Sequence, residues 1–121
     1  MASLVKRLEQ QIQKAVVEHL RMRAAPNTFF FHVPNGGWRT RTEGAILKGM
    51  GVMPGTPDLF LVFQGRCYAP EIKPEGGRPT VQQLEVIAQL EKAGAFTSIS
   101  CGLDAALRVL EAWGLLRGRV Q

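Results

Sequence analysis

Cysteine is scarce and long apolar runs are missing. Only two cysteines, Cys67 and Cys101, occur in 121 residues. Both fall in segments that read as strands, and their spacing matches neither a zinc ligand set nor a redox pair. They are expected to be small buried thiols in a reducing compartment. No stretch approaches the roughly 20 apolar residues that span a bilayer. The first residues, Met1-Ala2-Ser3-Leu4-Val5-Lys6-Arg7, reach charge before the hydrophobic run of a secretion signal can form. A cytoplasmic protein is the expectation. Internal repeats and low-complexity tracts are missing too, so nothing points to a repeat architecture.

What is present is ordinary for a globular chain: 45% apolar and 21% charged residues, enough to bury a core. The length fits a single domain, taken as residues 1–121. The formal charge is +5 with a pI near 9.8. Such a balance concentrates polyanions such as nucleic acid, although many small proteins share it without binding DNA.

Leu4, Leu8, Ile12, Val16 and Leu20 recur every fourth residue, with Val5 and Ala15 widening the stripe, behind a possible Ser3 cap. This predicts an amphipathic helix ending before Pro26. Residues 28–33, β-branched and aromatic, predict a strand that Pro34-Asn35-Gly36-Gly37 stops. Between Gly44 and Gly49 only a short helix fits, and Gly51 through Pro57 is a loop delivering the chain to Asp58. Residues 59–63 and 67–73 flank Gln64-Gly65 as a hairpin, with Pro70 at an irregular or unpaired position because it has no N–H. Thr80-x-x-Gln83 is a capping box opening a helix with the stripe Leu84, Ile87 and Leu90, closed by Gly94. A fourth strand over 96–101 and a last helix carrying Leu103, Ala106, Leu107, Leu110 and Trp113, ended by Gly114, complete the order α, β, short α, β, β, α, β, α.

The chemistry concentrates in the hairpin. If Gln64-Gly65 is a two-residue turn, Phe63 pairs with Arg66 and Asp58 falls opposite Glu71. Opposed residues have Cβ atoms about 4.5–5.5 Å apart, so two carboxylates there repel unless they share a cation. A hard divalent ion with oxygen ligands, Mg²⁺ or Mn²⁺, suits the pair. Lys73 is two residues beyond Glu71 and shares its face of the strand, where an ammonium can orient or deprotonate water and offset charge on a phosphoryl group. Glu9, on the inner flank of the first helix, is a candidate third carboxylate. Taken singly each feature is commonplace: an E-x-K triplet is usually a solvated ion pair, and Pro-Asp is frequent at turns. The combination is what points to a site.

In that combination the chain resembles the VRR-NUC nucleases of the PD-(D/E)xK superfamily, in their stand-alone, virus-type form. Five patches in matching order carry the resemblance: Glu9-x-x-Ile12-Gln13; Pro34-Asn35-Gly36; Gly51-Val52-x-Pro54-Gly55-x-Pro57-Asp58; Glu71-Ile72-Lys73; and Gly77-Arg78-x-Thr80-x-x-Gln83, leading to Leu90 and Gly94. The resemblance implies a restriction-endonuclease-like α/β core, a central mixed four-stranded sheet flanked by helices with a further helix at the end. It also implies metal ligation by Glu9, Asp58, Glu71 and the carbonyl of Ile72, and a catalytic lysine, Lys73. Gln83 matches the family's glutamine, while its role in the capping box stands as an equal explanation.

Asn35 and Gly36 could line a phosphate path, although the pair needs no role beyond a turn. Trp38, Arg39 and Arg41, in a glycine-flanked loop, offer stacking and phosphate contacts to DNA, as does Arg78; His32 reads as a sheet residue. The expected activity is Mg²⁺- or Mn²⁺-dependent hydrolysis of DNA phosphodiesters, leaving a 5′-phosphate by resemblance. A homodimer acting on branched DNA such as four-way junctions is also implied by the resemblance. The alternatives are a sequence-specific restriction-type endonuclease and a DNA-binding module without catalysis.

Overall fold

The computed structural model describes residues 4–34 and 40–118. Its elements are α1 (Leu4–Arg23), β1 (Phe29–His32), α2 (Arg41–Gly49), β2 (Leu59–Phe63), β3 (Arg66–Lys73), α3 (Val81–Lys92), β4 (Phe96–Cys101) and α4 (Leu103–Ala112). This is the expected order. The sheet runs β1-β2-β3-β4, antiparallel across the first three strands and parallel between β3 and β4. The connection between those parallel strands runs through α3, which buries Val86 and Ile87. On the opposite face Val16 and Leu20 of α1 meet Ala106, Leu107 and Leu110 of α4 over Leu59, Leu61 and Tyr68, the main core.

The two-residue turn is present. Phe63 pairs with Arg66, Val62 with Cys67 and Leu61 with Tyr68, and Gln64 and Gly65 both take positive φ, 51° and 75°. There the β2–β3 ladder stops, before it reaches Pro70, whereas on its other side β3 stays in register with β4 through Pro70↔Ser98 and on to Lys73↔Cys101. The expectation that Asp58 stands directly across a ladder from Glu71 is thereby corrected. Asp58 precedes β2, and its carbonyl accepts from the N–H of Val33 at 2.7 Å, tying it to the β1 side. β3 runs on past the paired residues to Lys73.

Several local readings also change. Leu4, Val5 and Leu8 are 64%, 55% and 38% exposed, because the first turns of α1 run past the core. α2 is longer than a turn flanked by glycines: Thr40 caps it by accepting from the N–H of Glu43 at 3.1 Å, and Arg41 lies in its first turn instead of a loop. In α3, Leu84 faces outward, 45% exposed, since the sheet takes Val86 and Ile87. Of the thiols, Cys67 is half-buried, but Cys101 is exposed and donates to the carbonyl of Gly77 at 3.4 Å. The Ser3 cap and the 35–39 segment lie outside the described residues.

Gly55 fastens the loop before Asp58 to α3. Its φ is +86°, and a Cβ there would stand 2.9 Å from Cγ of Gln82 and 3.0 Å from its carbonyl carbon, whereas Gly51, at φ +99°, faces open space. Both Gly→Ala changes force an L-residue left-handed, at about 1–2 kcal/mol. Gly55→Ala is therefore expected to lower the urea midpoint well beyond Gly51→Ala, and equal losses would mean the loop does not seat on α3 as described.

Candidate active site

Each acidic side chain arrives by a different route. The overhanging start of α1 carries Glu9 to the end of the sheet; the glycine- and proline-rich loop sets Asp58 at the start of β2; β3 delivers Glu71 and Lys73 in phase. The Lys73 ammonium donates to Oε1 of Glu9 at 3.3 Å and lies 3.8 Å from Oε1 of Glu71. Glu71 and Lys73 are buried, 6% and 7% exposed, while the Glu9 side chain keeps 31% of its surface. Among the described residues, no three carboxylate, imidazole or thiol groups converge closely enough to hold a metal as they stand. The ammonium sits instead between two of the carboxylates, so the cluster already accommodates one positive charge.

Burial dominates the electrostatics. It pushes the Glu71 carboxyl up to about 7; Lys73 opposes the shift, and the charges of Asp58 and Glu9 add to it. Asp58 is raised by the same cause, against the pull of His32, Lys73 and Lys6 and with a push from Glu9. The three acids therefore feel one another, as groups do that need a cation to ionise together. Hard oxygen donors of this kind fit Mg²⁺ or Mn²⁺.

A cleft of about 590 Å³ opens beside them. One wall is a single face of α1: Lys6, Gln10, Gln13, Lys14, Val17 and Arg21, spaced at three or four residues. Glu9, Glu18 and Asp58 also line it, and His32, Thr56 and Gln83 close the other side. Gln83 takes the capping part, its Oε1 accepting from the N–H of Thr80 at 2.8 Å in a complete capping box, and it also borders the cleft. His32 was expected only as a sheet residue. Its Nδ1 lies 3.0 Å from the Asp58 carbonyl, to which a protonated Nδ1 donates, and 2.6 Å from the Gln13 side-chain amide. The helical repeat of polar residues from Lys6 to Arg21 is the signal that could have revealed this wall. Arg41 and Arg78 are exposed and do not line the cleft; Asn35, Gly36, Trp38 and Arg39 lie outside the described residues.

A raised carboxyl has a consequence for stability in the absence of metal. Below its ordinary 4.5, Glu71 is protonated whether the chain is folded or not; above that, the unfolded chain releases the proton first, and the folded one only near 7. Stability in EDTA should thus fall as pH rises between those values and then level, with Asp58 adding a slope of the same sign. Thermal melts of Glu71→Gln should lose most of the slope, and melts that instead rise through this window would contradict the burial.

No family profile matches the sequence, and no curated protein matches it. Solved structures do. One, described as a VRR_NUC domain protein, has TM-score 0.76 and 26% identity, covering 100% of this chain and 99% of its own. Another, described as a VRR_NUC domain, has TM-score 0.60, covers 87% of this chain and 96% of its own, and at 19% identity is a likeness of fold alone. The name of both neighbours suggests a nuclease-type domain. Matched over its whole length in fold, at 26% identity, the chain is similar to a VRR-NUC domain protein.

Proposed function

We propose that the protein is a metal-dependent deoxyribonuclease whose active centre is Asp58, Glu71 and Lys73. The observation that supports it best is the buried ammonium held between Glu9 and Glu71 beyond the end of the β2–β3 ladder, next to the cleft that Glu9 and Asp58 line. A Mg²⁺ or Mn²⁺ ion would be held by Asp58 and Glu71, with Glu9 and the Ile72 carbonyl as further oxygens. It would supply Lewis-acid polarisation of the phosphoryl group. Lys73 then orients the attacking water and offsets charge developing on the phosphoryl oxygens. Gln83, at the start of α3, presents an amide to the same space. His32 and Gln13 hold the Asp58 loop in place.

Lys6, Lys14 and Arg21 along α1 are suited to the phosphates of a DNA strand lying in the cleft, and Arg41 and Arg78 to more distant ones. Asn35, Gly36, Trp38 and Arg39 complete the proposed DNA contacts. The products carry a 5′-phosphate. The substrate is proposed to be branched DNA such as a four-way junction, cut by a homodimer, because the described residues of one chain offer one such cluster and symmetric cutting needs two.

Labelled junction, flap and linear duplex incubated with Mg²⁺, Mn²⁺ or EDTA test the reading. Cleavage should require the metal and favour the junction. Asp58→Ala, Glu71→Ala and Lys73→Ala should each lower it about a hundredfold or more, with the fold intact by circular dichroism. Turnover of Glu71→Ala or Lys73→Ala near that of the unaltered protein would remove the proposed centre.

A further inference from the structure

Along β1, side chains alternate between the two faces of the sheet. Phe30 packs on the core shared by α1 and α4, and His32 meets Gln13 of α1, so Phe29 and Phe31 face the other way. Register sets Phe29 opposite Val62 and Phe31 opposite Phe60. Three rings form a row: Phe29 and Phe31 have centroids 5.9 Å apart, and Phe31 stacks on Phe60 at 5.7 Å with 13° between planes. Phe29 is 65% exposed, Phe31 41% and the neighbouring Val62 40%. On this side of the sheet α3 packs against β4, at the far edge from β1. Phe29 and Phe31 thus expose an aromatic row that continues onto the half-buried Phe60.

The row leads to the acids. Val62 pairs with Cys67, and the alternation of β3 carries that face on to Glu71 and Lys73. Asp58 precedes Phe60 by two residues, roughly 7 Å along the chain. A DNA strand has a phosphate side and a base side. Here the cations Lys6, Lys14 and Arg21 stand on the α1 side of the sheet end, the phenylalanine rings on the other, and the acids lie where the two meet.

We propose that Phe29, Phe31 and Phe60 form a stacking surface for the unpaired bases of a single-stranded segment next to the bond being cut. The proposal rests on the reading of Asp58 and Glu71 as the cutting site. Flat rings accept any base, so the surface confers no sequence preference. Bases inside a duplex are already stacked and cannot use it. At a branch point, where pairing is interrupted, it takes up bases that open next to the cut, whereas a second copy of the chain seated on the row would wall off that flank of the acid cluster.

Fluorescence anisotropy in EDTA, where no metal-dependent cutting intervenes, tests it with an unpaired oligonucleotide and a duplex. Phe29→Ala and Phe31→Ala should each weaken the unpaired strand about tenfold, the order of one stacked base, and leave duplex affinity and its salt dependence unchanged. Phe31→Trp should keep the affinity and lose indole fluorescence as the oligonucleotide binds. Alanine variants that bind unpaired strand as the unaltered protein does would overturn the proposal. So would light scattering that finds a dimer turned to monomer by Phe29→Ala, because a second copy then covers the row. Cleavage of DNA alongside unaffected binding by the alanine variants would sink the stacking surface and spare the nuclease. Phenylalanine-dependent binding with no cleavage of any substrate would do the reverse.

Discussion

A buried carboxylate, Glu71, is gathered with two that still reach water, Glu9 and Asp58, and a single ammonium makes the gathering tolerable. Lys73 lies between Glu9 and Glu71, with Asp58 close enough to raise the carboxyl of Glu71. Buried like charges disfavour their own ionisation, and a cation among them reverses the balance. Much of the fold serves this arrangement. α1 extends past the core to bring Glu9, β3 runs on beyond its partner β2 to bring Glu71 and Lys73, and a loop fastened at Gly55 brings Asp58.

Stability and chemistry sit at opposite ends of α1. At its C-terminal end Arg23 pairs with Glu111 of α4 at 2.9 Å and donates to the carbonyl of Arg117, while the N–H of Ala25 donates to the carbonyl of Leu115 at 2.8 Å. Val16 and Leu20 are the helix's fully buried apolar residues. Its N-terminal turns extend past that core, with Leu4 64% and Leu8 38% exposed, and their polar groups line the cleft. In the sheet β2 and β3 are paired next to the Gln64-Gly65 turn and their ladder ends before the acids, where Pro70 has no N–H to offer and the Asp58 carbonyl is taken by Val33.

Local signals were legible wherever chemistry is local. The two-residue turn, the Thr80–Gln83 capping box, the element order and the phasing of Glu71 with Lys73 follow from residue types and periods, and each is found. What escaped depends on partners distant in sequence. The stripe on α1 does not say how far the core extends, so Leu4 and Leu8 read as buried. Alternation in β1 does not say which face a helix covers, so the bare row of Phe29 and Phe31 was invisible. His32 became a support for Asp58 only because the β1–β2 register and α1 bring Gln13 and the Asp58 carbonyl to the same nitrogen. Extrapolating the hairpin pairing to Asp58 and Glu71 failed because register alone cannot tell where a ladder ends.

In a metal-dependent centre the carboxylates hold a divalent ion in place of the lysine's charge. Anomalous scattering from crystals soaked in Mn²⁺ measures this directly. The expected result is a peak between Asp58 and Glu71, with the Lys73 ammonium moved off Glu71, and no peak in Asp58→Ala crystals. Strong cleavage of DNA by a protein whose soaked crystals show no ion at these carboxylates, or show it elsewhere, would contradict it.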